Sequence, residues 1–170
     1  MKRKVFLALG GNLGNVIESF EASLDYLQKN GVNILKRSST AVTTPVDCPA
    51  GTPDFFNMAV SAETELGPFE LLELTQKTEV LYGRPAEHGF HESRTLDLDI
   101  IYMEGIRLCT GRLTLPHPRA LERDFVMRFL LELDSDAHNK VKNIPVLTPC
   151  PAPMEGVMTA ALIKTAKEEK

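Results

Sequence analysis

The order of secondary-structure signals along the chain restricts the possible folds more than any other feature of the sequence. Alternating or β-branched runs predict strands, and apolar residues at helical spacing predict helices. The predicted strands span residues 4–9, 32–44, 55–65 and 95–102, and the predicted helices span 14–27 and 68–83. The order is therefore strand, helix, strand, strand, helix, strand. This order is typical of a ferredoxin-like α+β domain, in which an antiparallel sheet carries helices on one face.

A C-terminal helical extension follows these elements. A short strand over 106–109 and an apolar helix over 123–133 come first. From residue 145 onward the composition changes, with closely spaced prolines and then an end rich in lysine and glutamate. We expect one main domain over residues 1–135, and an extension over residues 136–170 that packs on this domain or trails from it.

Composition excludes several classes of protein. The 170 residues include 19 Lys+Arg and 23 Asp+Glu, for a net charge of -4. An acidic balance argues against sequence-independent nucleic-acid binding, and no apolar run approaches the ~20 residues of a membrane span. We therefore expect neither a nucleic acid nor a membrane as partner. The three cysteines are far apart and lack metal-ligand spacing, which predicts free thiols in a reducing, cytoplasmic compartment.

The arginines are concentrated in one part of the chain. Seven of the nine lie between Arg84 and Arg128, and that stretch contains no lysine. A guanidinium group can pair with phosphate or carboxylate at two points, whereas lysine is a mobile point charge. The distribution indicates a small polyanionic ligand, with chance and surface salt bridges as the alternative explanation.

The sharpest local pattern is the segment RTLDLDI, Arg94–Ile100. Residues two apart on a strand point to the same side, so Asp97 and Asp99 share one face and the intervening apolar residues face the core. Two carboxylates on one rigid face favour a hard divalent cation, and Mg²⁺ prefers few carboxylates together with water and phosphates. The alternative is an exposed polar strand face with two ordinary acids.

Three further motifs are ambiguous when taken singly. His117 lies in LTLPHPR, where two prolines stiffen the loop, so it is either a phosphate or acid–base group or a surface histidine. Phe55 and Asn57 in PDFFN share a strand face, which suits either a flat heterocycle or ordinary packing. The run GGNLG at 10–14 matches no phosphate-binding motif, and a tight strand-to-helix turn is its simpler interpretation.

In this order, these segments resemble the 6-hydroxymethyl-7,8-dihydropterin pyrophosphokinase family of folate biosynthesis. The resemblance covers residues 3–135, and RTLDLDI followed by LTLPHPR is its most specific part. It also includes the segments LGGNLG, TP at 44–45, PDFFN, TQKTE, GR at 83–84 and RDF. The family has the ferredoxin-like fold, and the resemblance implies transfer of the β,γ-pyrophosphoryl group of ATP to the pterin's hydroxymethyl oxygen, with release of AMP.

The resemblance also implies a role for each matching residue. Asp97 and Asp99 would hold two magnesium ions, and they would be catalytic together with Arg84 and Arg94, which would stabilise the transferring phosphates. Asp97 is also the first candidate for the base. ATP would contact Gln76, Arg94, Ile100, Arg112, Thr114, His117 and Arg123. The pterin site would contain Thr44, Pro45, Phe55, Asn57, Asp97 and Phe125.

The segment from Arg84 to Ser93 departs from the family pattern. Ala86 stands where a further basic residue is common, and His91 stands where an aromatic residue is frequent. A catalytically weakened family member is therefore an alternative. A non-catalytic small-molecule-binding module with the same fold is a second alternative. The loops 45–53 and 84–93 are the expected lids over the substrates. We expect a monomer, with other folate-pathway enzymes as additional candidate partners.

Overall fold

The computed structural model describes residues 1–45, 51–82 and 95–144. In these ranges most of the strands and helices expected from the sequence are present. The elements in chain order are β1 (Arg3–Gly11), α1 (Val16–Lys29), β2 (Val32–Arg37), β3 (Ala41–Thr43), β4 (Phe55–Thr64), α2 (Pro68–Leu81), β5 (Asp97–Met103), β6 (Leu108–Cys109), β7 (Thr114–Leu115), α3 (Asp124–Leu133) and α4 (Ser135–Asn143).

One antiparallel sheet of five strands organises the described chain. Its order is β2-β4-β1-β5, and β3 also pairs with β4. Every pairing in this sheet is antiparallel. A separate hairpin joins β6 to β7. An antiparallel sheet with packed helices confirms the α+β class.

The single strand predicted over 32–44 is two strands in the structure. Ser38 lies in the gap, where its hydroxyl accepts a hydrogen bond from the Ala59 amide at 2.9 Å. The Ser38 amide in turn donates to the Ala59 carbonyl, also at 2.9 Å. A side-chain oxygen thus replaces a rung of the backbone ladder, which interrupts the strand.

Helices cover both faces of the sheet: α1 and α2, the two helices of the expected ferredoxin-like unit, share one face, and α3 and α4 cover the other. On the first face, α1 and α2 pack on a buried cluster that includes Leu7, Phe20 and Leu71. On the second face, α3 and α4 pack on a cluster that includes Phe6 and Phe129. Residues 5–9 of β1 are all buried, and neighbours on a strand point to opposite sides, so the central strand is covered on both faces.

Helix α4 belongs to this packed unit. Asp134 caps it by accepting hydrogen bonds from the amides of Asp136 (2.9 Å) and Ala137 (3.1 Å). The same carboxylate accepts a hydrogen bond from Lys4 Nζ at 2.9 Å, which fastens the start of α4 to β1. This bond with Lys4 is the main cause that lowers the pKa of Asp134, and it likewise raises the pKa of Lys4. The extension therefore packs on the domain at least as far as α4.

Two smaller expectations need correction. Gly10 and Gly11 are the last residues of β1 and do not belong to the turn that follows. An added Cβ at Gly11 would lie 2.5 Å from the Thr95 carbonyl oxygen, so the close approach of that backbone requires glycine. Cys109 is disulfide-bonded, which contradicts the prediction of free thiols for this residue. Cys48 and Cys150 lie outside the described residues.

Candidate active site

A row of three residues across the sheet forms the floor of the site. Asn57 on β4 pairs with Gly10 on β1, and Gly10 pairs with Asp97 on β5. Neighbouring strands are about 4.8 Å apart, so the Asn57 and Asp97 backbones are about 10 Å apart with Gly10 between them. An added Cβ at Gly10 would lie 3.2 Å from Asn57 Oδ1 and 3.9 Å from Asp97 Cβ. Glycine therefore leaves a shallow space between an amide and a carboxylate.

The two aspartates share one face of β5, as the sequence predicts. Asp97 and Asp99 are half-buried, whereas Leu96, Leu98 and Ile100 between and beside them are buried in the first-face cluster. The adjacent row is more fully covered, because Ala8 pairs with Asp99 and is buried among the residues of the second-face cluster. Among the described residues, the carboxylates thus stand where the buried part of the sheet gives way to partly exposed residues.

A buried glutamate fixes the strand that carries both aspartates. Glu79 on α2 is 7% exposed, and its Oε1 accepts a hydrogen bond from the Leu98 amide at 2.7 Å. Leu98 is the residue between Asp97 and Asp99, and β5 is at the edge of the sheet. Glu79 lies within TQKTE, a segment of the family resemblance, but the resemblance implied no role for it. Its hydrogen bond to β5 depends on how α2 packs, so the sequence around Glu79 does not indicate it.

Asp99 lies next to two of the predicted ATP-binding residues. Arg123 NH1 donates to Asp99 Oδ2 at 3.2 Å, and both side chains are about one-third exposed. His117 Nε2 is 4.0 Å from Asp99 Oδ1. The structure therefore brings together residues from β5, from the loop after β7 and from the start of α3.

The orientation of His117 is set by its own loop. Its amide donates to the Ile101 carbonyl at 2.8 Å, which holds the loop against the edge of β5. The Arg119 amide donates to His117 Nδ1 at 3.2 Å, so the neutral ring carries its proton on Nε2, toward Asp99. Burial is the main cause that lowers the pKa of His117, and Asp99 opposes this shift. His117 is thus suited to donate a hydrogen bond as a neutral ring.

The carboxylate pair fits magnesium bound together with phosphates. Within residues 1–45, 51–82 and 95–144, no group of three or more His, Cys, Asp or Glu side chains forms a metal site. Magnesium in nucleotide sites commonly uses one or two carboxylates, with waters and substrate phosphates as the other ligands. Asp97 and Asp99 supply that number of carboxylates on one rigid strand.

The remaining predicted nucleotide residues lie on α2, in the β6–β7 hairpin and on β5. Arg112 NH2 contacts Glu73 Oε1 on α2 at 3.2 Å, and its guanidinium group lies 5.5 Å from the centre of the Phe69 ring. Gln76 is exposed on α2, three residues after Glu73, so both side chains lie on the same side of the helix. Thr114 begins β7, which is packed against β5. The Ile100 side chain is buried, so only its main chain is available to a ligand.

The predicted pterin residues lie on β4, on α3 and directly after β3. Phe55 and Asn57 lie on β4 and face the same side as Ala59, a member of the second-face cluster. Phe125 packs on that cluster from α3, with its ring 6.0 Å from that of Phe129. Thr44 is exposed and Pro45 is half-buried.

Thr43 makes a contact that the sequence did not indicate. Asn57 Nδ2 donates to Thr43 Oγ1 at 2.9 Å. The contact depends on the register of β3 against β4, in which Ala41 is opposite Asn57. The predicted catalytic residues Arg84 and Arg94 lie outside the described residues. The structure therefore groups the aspartates with His117 and Arg123, and leaves the arginine pair as a sequence prediction.

Comparison with known proteins identifies the family. The family model described as 7,8-dihydro-6-hydroxymethylpterin-pyrophosphokinase (HPPK) matches residues 6–135, well over half of the chain. The chain belongs to this family. The HPPK match includes every predicted site residue, because these extend from Thr44 to Phe125.

Curated relatives agree with the HPPK assignment. A 2-amino-4-hydroxy-6-hydroxymethyldihydropteridine pyrophosphokinase of Bacillus subtilis (strain 168) is 39% identical, with 78% of this chain and 79% of the relative covered. The protein of the same name from Haemophilus influenzae is 36% identical, with 77% and 81% covered. A mitochondrial folate synthesis bifunctional protein of Pisum sativum is also 36% identical, but the match covers 76% of this chain and only 25% of the relative. The chain thus spans about a quarter of the length of that relative.

Solved structures support the fold. A crystal structure of HPPK-DHPS in complex with substrates has a TM-score of 0.57 at 12% identity, covering 84% of this chain and 43% of the other. Wild-type HPPK-DHPS of Plasmodium falciparum with pteroate has a TM-score of 0.52 at 15% identity, covering 89% and 38%. At these identities, the likeness concerns the fold alone.

Proposed function

We propose that this HPPK family member transfers pyrophosphate from ATP to 6-hydroxymethyl-7,8-dihydropterin, giving the pterin diphosphate and AMP in folate synthesis. Membership of the family gives the reaction class. The observation that carries the proposal is the row Asn57–Gly10–Asp97, which sets a heterocycle-binding amide beside a carboxylate pair. Arg123 and His117 lie beside Asp99, where they would contact the phosphates of ATP.

The proposed reaction is a displacement at the β-phosphorus of ATP. The hydroxymethyl oxygen of the pterin forms a bond to that phosphorus, and the bond from the β-phosphorus to the bridging α,β-oxygen breaks. AMP leaves with the electron pair of the broken bond, and the hydroxyl proton goes to a base or to water. Such transfers depend mainly on alignment and on stabilisation of charge at the phosphate oxygens.

Each residue of the site has a proposed role in this transfer. Asn57 and the rings of Phe55 and Phe125 would hold the pterin over Gly10. Asp97, next to this space, is the proposed proton acceptor. Arg123 and His117, together with Arg84 and Arg94 as sequence predictions, would donate to phosphate oxygens. The arginines would neutralise the charge that develops as AMP leaves, and His117 would donate its hydrogen bond as a neutral ring.

Asp97 and Asp99 would hold two magnesium ions. When bound there, the metal would neutralise phosphate charge and align the nucleotide with the pterin oxygen. The nucleotide would extend from this pair toward α2 and the β6–β7 hairpin, past Gln76, Ile100, Arg112 and Thr114. This path would place adenine by the main chain of Ile100 and the triphosphate by Arg123.

Five finer assignments belong to the same proposal. The sheet order β2-β4-β1-β5, with all pairs antiparallel, supports the ferredoxin-like assignment. We infer a monomer in the cytoplasm, and other folate-pathway enzymes are candidate partners. Within the described residues, no helix is both long and apolar enough to cross a bilayer. Residues 1–135 are the proposed catalytic domain, with residues 136–170 as its extension.

The direct test is the release of AMP from ATP by the purified full chain. We expect AMP, and no ADP, only when both magnesium and the hydroxymethyl pterin are present. Asp97→Ala and Asp99→Ala should each lower turnover by about 100-fold or more, because each removes a carboxylate that is proposed to hold the magnesium ions at the reacting phosphates. Asp25→Ala, at an exposed position on α1, is the matched control and should leave turnover unchanged. A well-folded chain that releases no AMP would reject the proposal.

A further inference from the structure

The proposed function does not account for the disulfide at Cys109. This residue is on β6, and it is disulfide-bonded and partly exposed. The chain has three cysteines, so a partner within the chain is either Cys48 or Cys150. Disulfides in reducing compartments are mostly transient or redox-sensing, and an accessible sulfur can exchange with small thiols. The bond is therefore a candidate for a reversible modification of the protein.

Cys48 is poorly placed to reach Cys109. It is five residues after Thr43, and five extended residues span at most about 18 Å. Three strand spacings, about 14 Å, separate β3 from β5, against which the β6–β7 hairpin packs. The hairpin is also displaced along the strands. Arg112 in its turn contacts Glu73 in the first half of α2, and this helix begins after the end of β4 that is farther from Thr43. A bond to Cys48 would therefore need a segment stretched to its limit.

Cys150 starts from a closer point. Lys140 on α4 contacts Glu104 Oε1 at 3.0 Å, and Glu104 begins the turn that leads from β5 to β6. Cys109 is five residues after Glu104. The described residues end at Ile144, four residues after Lys140, and the six residues from there to Cys150 can span up to about 20 Å. The two segments that would carry the bond thus begin from one contact between α4 and this turn.

The β6–β7 hairpin carries two of the predicted ATP residues. Arg112 lies in its turn, and Thr114 pairs with Cys109 itself. Each strand of the hairpin has only two residues, and so small a two-stranded unit has little stability of its own. A covalent bond from β6 to the C-terminal extension would therefore restrict the motion of the segment that holds Arg112 and Thr114.

We infer that Cys109 and Cys150 form a reversible disulfide that fastens the C-terminal extension to the β6–β7 hairpin and strengthens the binding of ATP. The cross-link goes beyond the proposed function, and only its effect on ATP rests on that function. A low-molecular-weight disulfide such as oxidised glutathione supplies the oxidant. One protein thiolate attacks this disulfide and releases one small thiol, and the second protein thiolate then displaces the other. The two cysteine thiols lose two electrons and two protons, and the small disulfide is reduced to two thiols.

Peptide mapping of the full chain tests the pairing. The protein is treated with oxidised glutathione, digested, and separated without reduction. We expect a linked fragment that contains Cys109 and Cys150, with Cys48 outside it. Cys48→Ser is the matched control and should keep this fragment, whereas Cys150→Ser should lose it. A fragment that links Cys109 to Cys48, a link between two chains, or the absence of any linked fragment would overturn the inference.

Calorimetric titration with magnesium and α,β-methylene ATP tests the effect on the nucleotide. This analogue lacks the bridging oxygen whose bond breaks in the proposed reaction. Reduction with dithiothreitol should weaken its binding about three- to tenfold, because a freed hairpin must be ordered when the nucleotide binds. Cys150→Ser should bind the analogue as reduced wild type does, in both redox states, and Cys48→Ser should respond to reduction as wild type does. Equal affinities of oxidised and reduced wild type would reject the inference.

Thermal unfolding adds a measurement that does not involve the nucleotide. The oxidised full chain should melt roughly 5–10 °C above the reduced chain, because a disulfide that closes a loop of about 40 residues restricts the unfolded state. Cys150→Ser should show no such difference between its redox states. If the proposed function fails, so that wild type releases no AMP, the mapping and the titration still decide the inference.

Discussion

Replacement of Glu79 by alanine tests whether the strand with the two aspartates is held in place from α2. The carboxylate is buried, and it accepts a hydrogen bond from the Leu98 amide at 2.7 Å at the edge of the sheet. Removal leaves that buried amide without this acceptor. A hydrogen bond to a charged group contributes about 1.5–3 kcal/mol, and leaving a buried donor unpaired costs about 1–3 kcal/mol. We therefore expect a loss of about 2–3 kcal/mol in the free energy of unfolding.

This loss should be visible as a lower melting temperature. A domain of 150–250 residues loses roughly 2–4 °C per kcal/mol, so Glu79→Ala should melt about 5–10 °C below wild type. Turnover should fall as well, because Leu98 lies between Asp97 and Asp99 and small misplacements of reacting groups are costly. Thermal unfolding followed by circular dichroism, together with AMP release at a temperature where both proteins are folded, measures the two effects.

Glu73→Ala provides a matched control on the same helix. Its carboxylate is 65% exposed and contacts Arg112 at the surface. Exposed ion pairs contribute about 0–1 kcal/mol, so this variant should melt within about 3 °C of wild type. The reasoning would be refuted if Glu79→Ala melted within 1 °C of wild type, or if both variants lost the same stability.

Three other changes probe separate parts of the molecule. Gly10→Ala places a methyl group 3.2 Å from Asn57 Oδ1, so KM for the pterin should rise about tenfold or more, with KM for ATP unchanged, in steady-state assays of AMP release. Arg123→Met removes a cation beside Asp99 and should lower kcat/KM for ATP about 100-fold, while calorimetry should show unchanged pterin affinity. Because Lys4 lowers the pKa of Asp134, their bond stabilises the fold above the ordinary aspartate value of 3.8, and this stability is lost as pH falls through the lower folded value. Asp134→Asn should therefore be about 1–2 kcal/mol less stable than wild type in urea at pH 7, and the gap should narrow at about pH 3.

Local patterns predicted the parts of the fold that depend on neighbours in sequence. The alternation in RTLDLDI placed Asp97 and Asp99 on one face and the intervening leucine in the core, because side-chain direction on a strand follows from the backbone alone. The sequence also indicates that β1 is covered on both faces, which the ferredoxin-like unit with its two helices on one face does not predict. Residues 5–9 form an unbroken apolar run, whereas a strand with one solvent-exposed face would alternate apolar and polar residues.

The features that the sequence did not reveal depend on contacts between distant segments. Helix α4 has only Ala137 and Val141 buried in an otherwise polar stretch, so its apolar periodicity is too weak to detect. Its attachment depends on Lys4, which is 130 residues before Asp134. The contacts of Thr43 with Asn57 and of Glu79 with Leu98 likewise require the register of β3 and the position of α2. Residue types alone carry no information about such pairs.

The location of the site follows from where α3 and α4 stop covering the second face of the sheet. Ala8 is buried among residues of α3, but Gly10, two residues further along β1, is half-exposed. Asp99 in the covered row contacts Arg123, whereas Asp97 in the next row lies beside the half-exposed Gly10. One aspartate is thus next to Arg123 and His117, which are proposed to bind phosphate, and the other is next to the amide proposed to bind the pterin. Because both are on one strand, fixing β5 through Glu79 would set the distance between the two substrates, and a shift of that strand would disturb both at once.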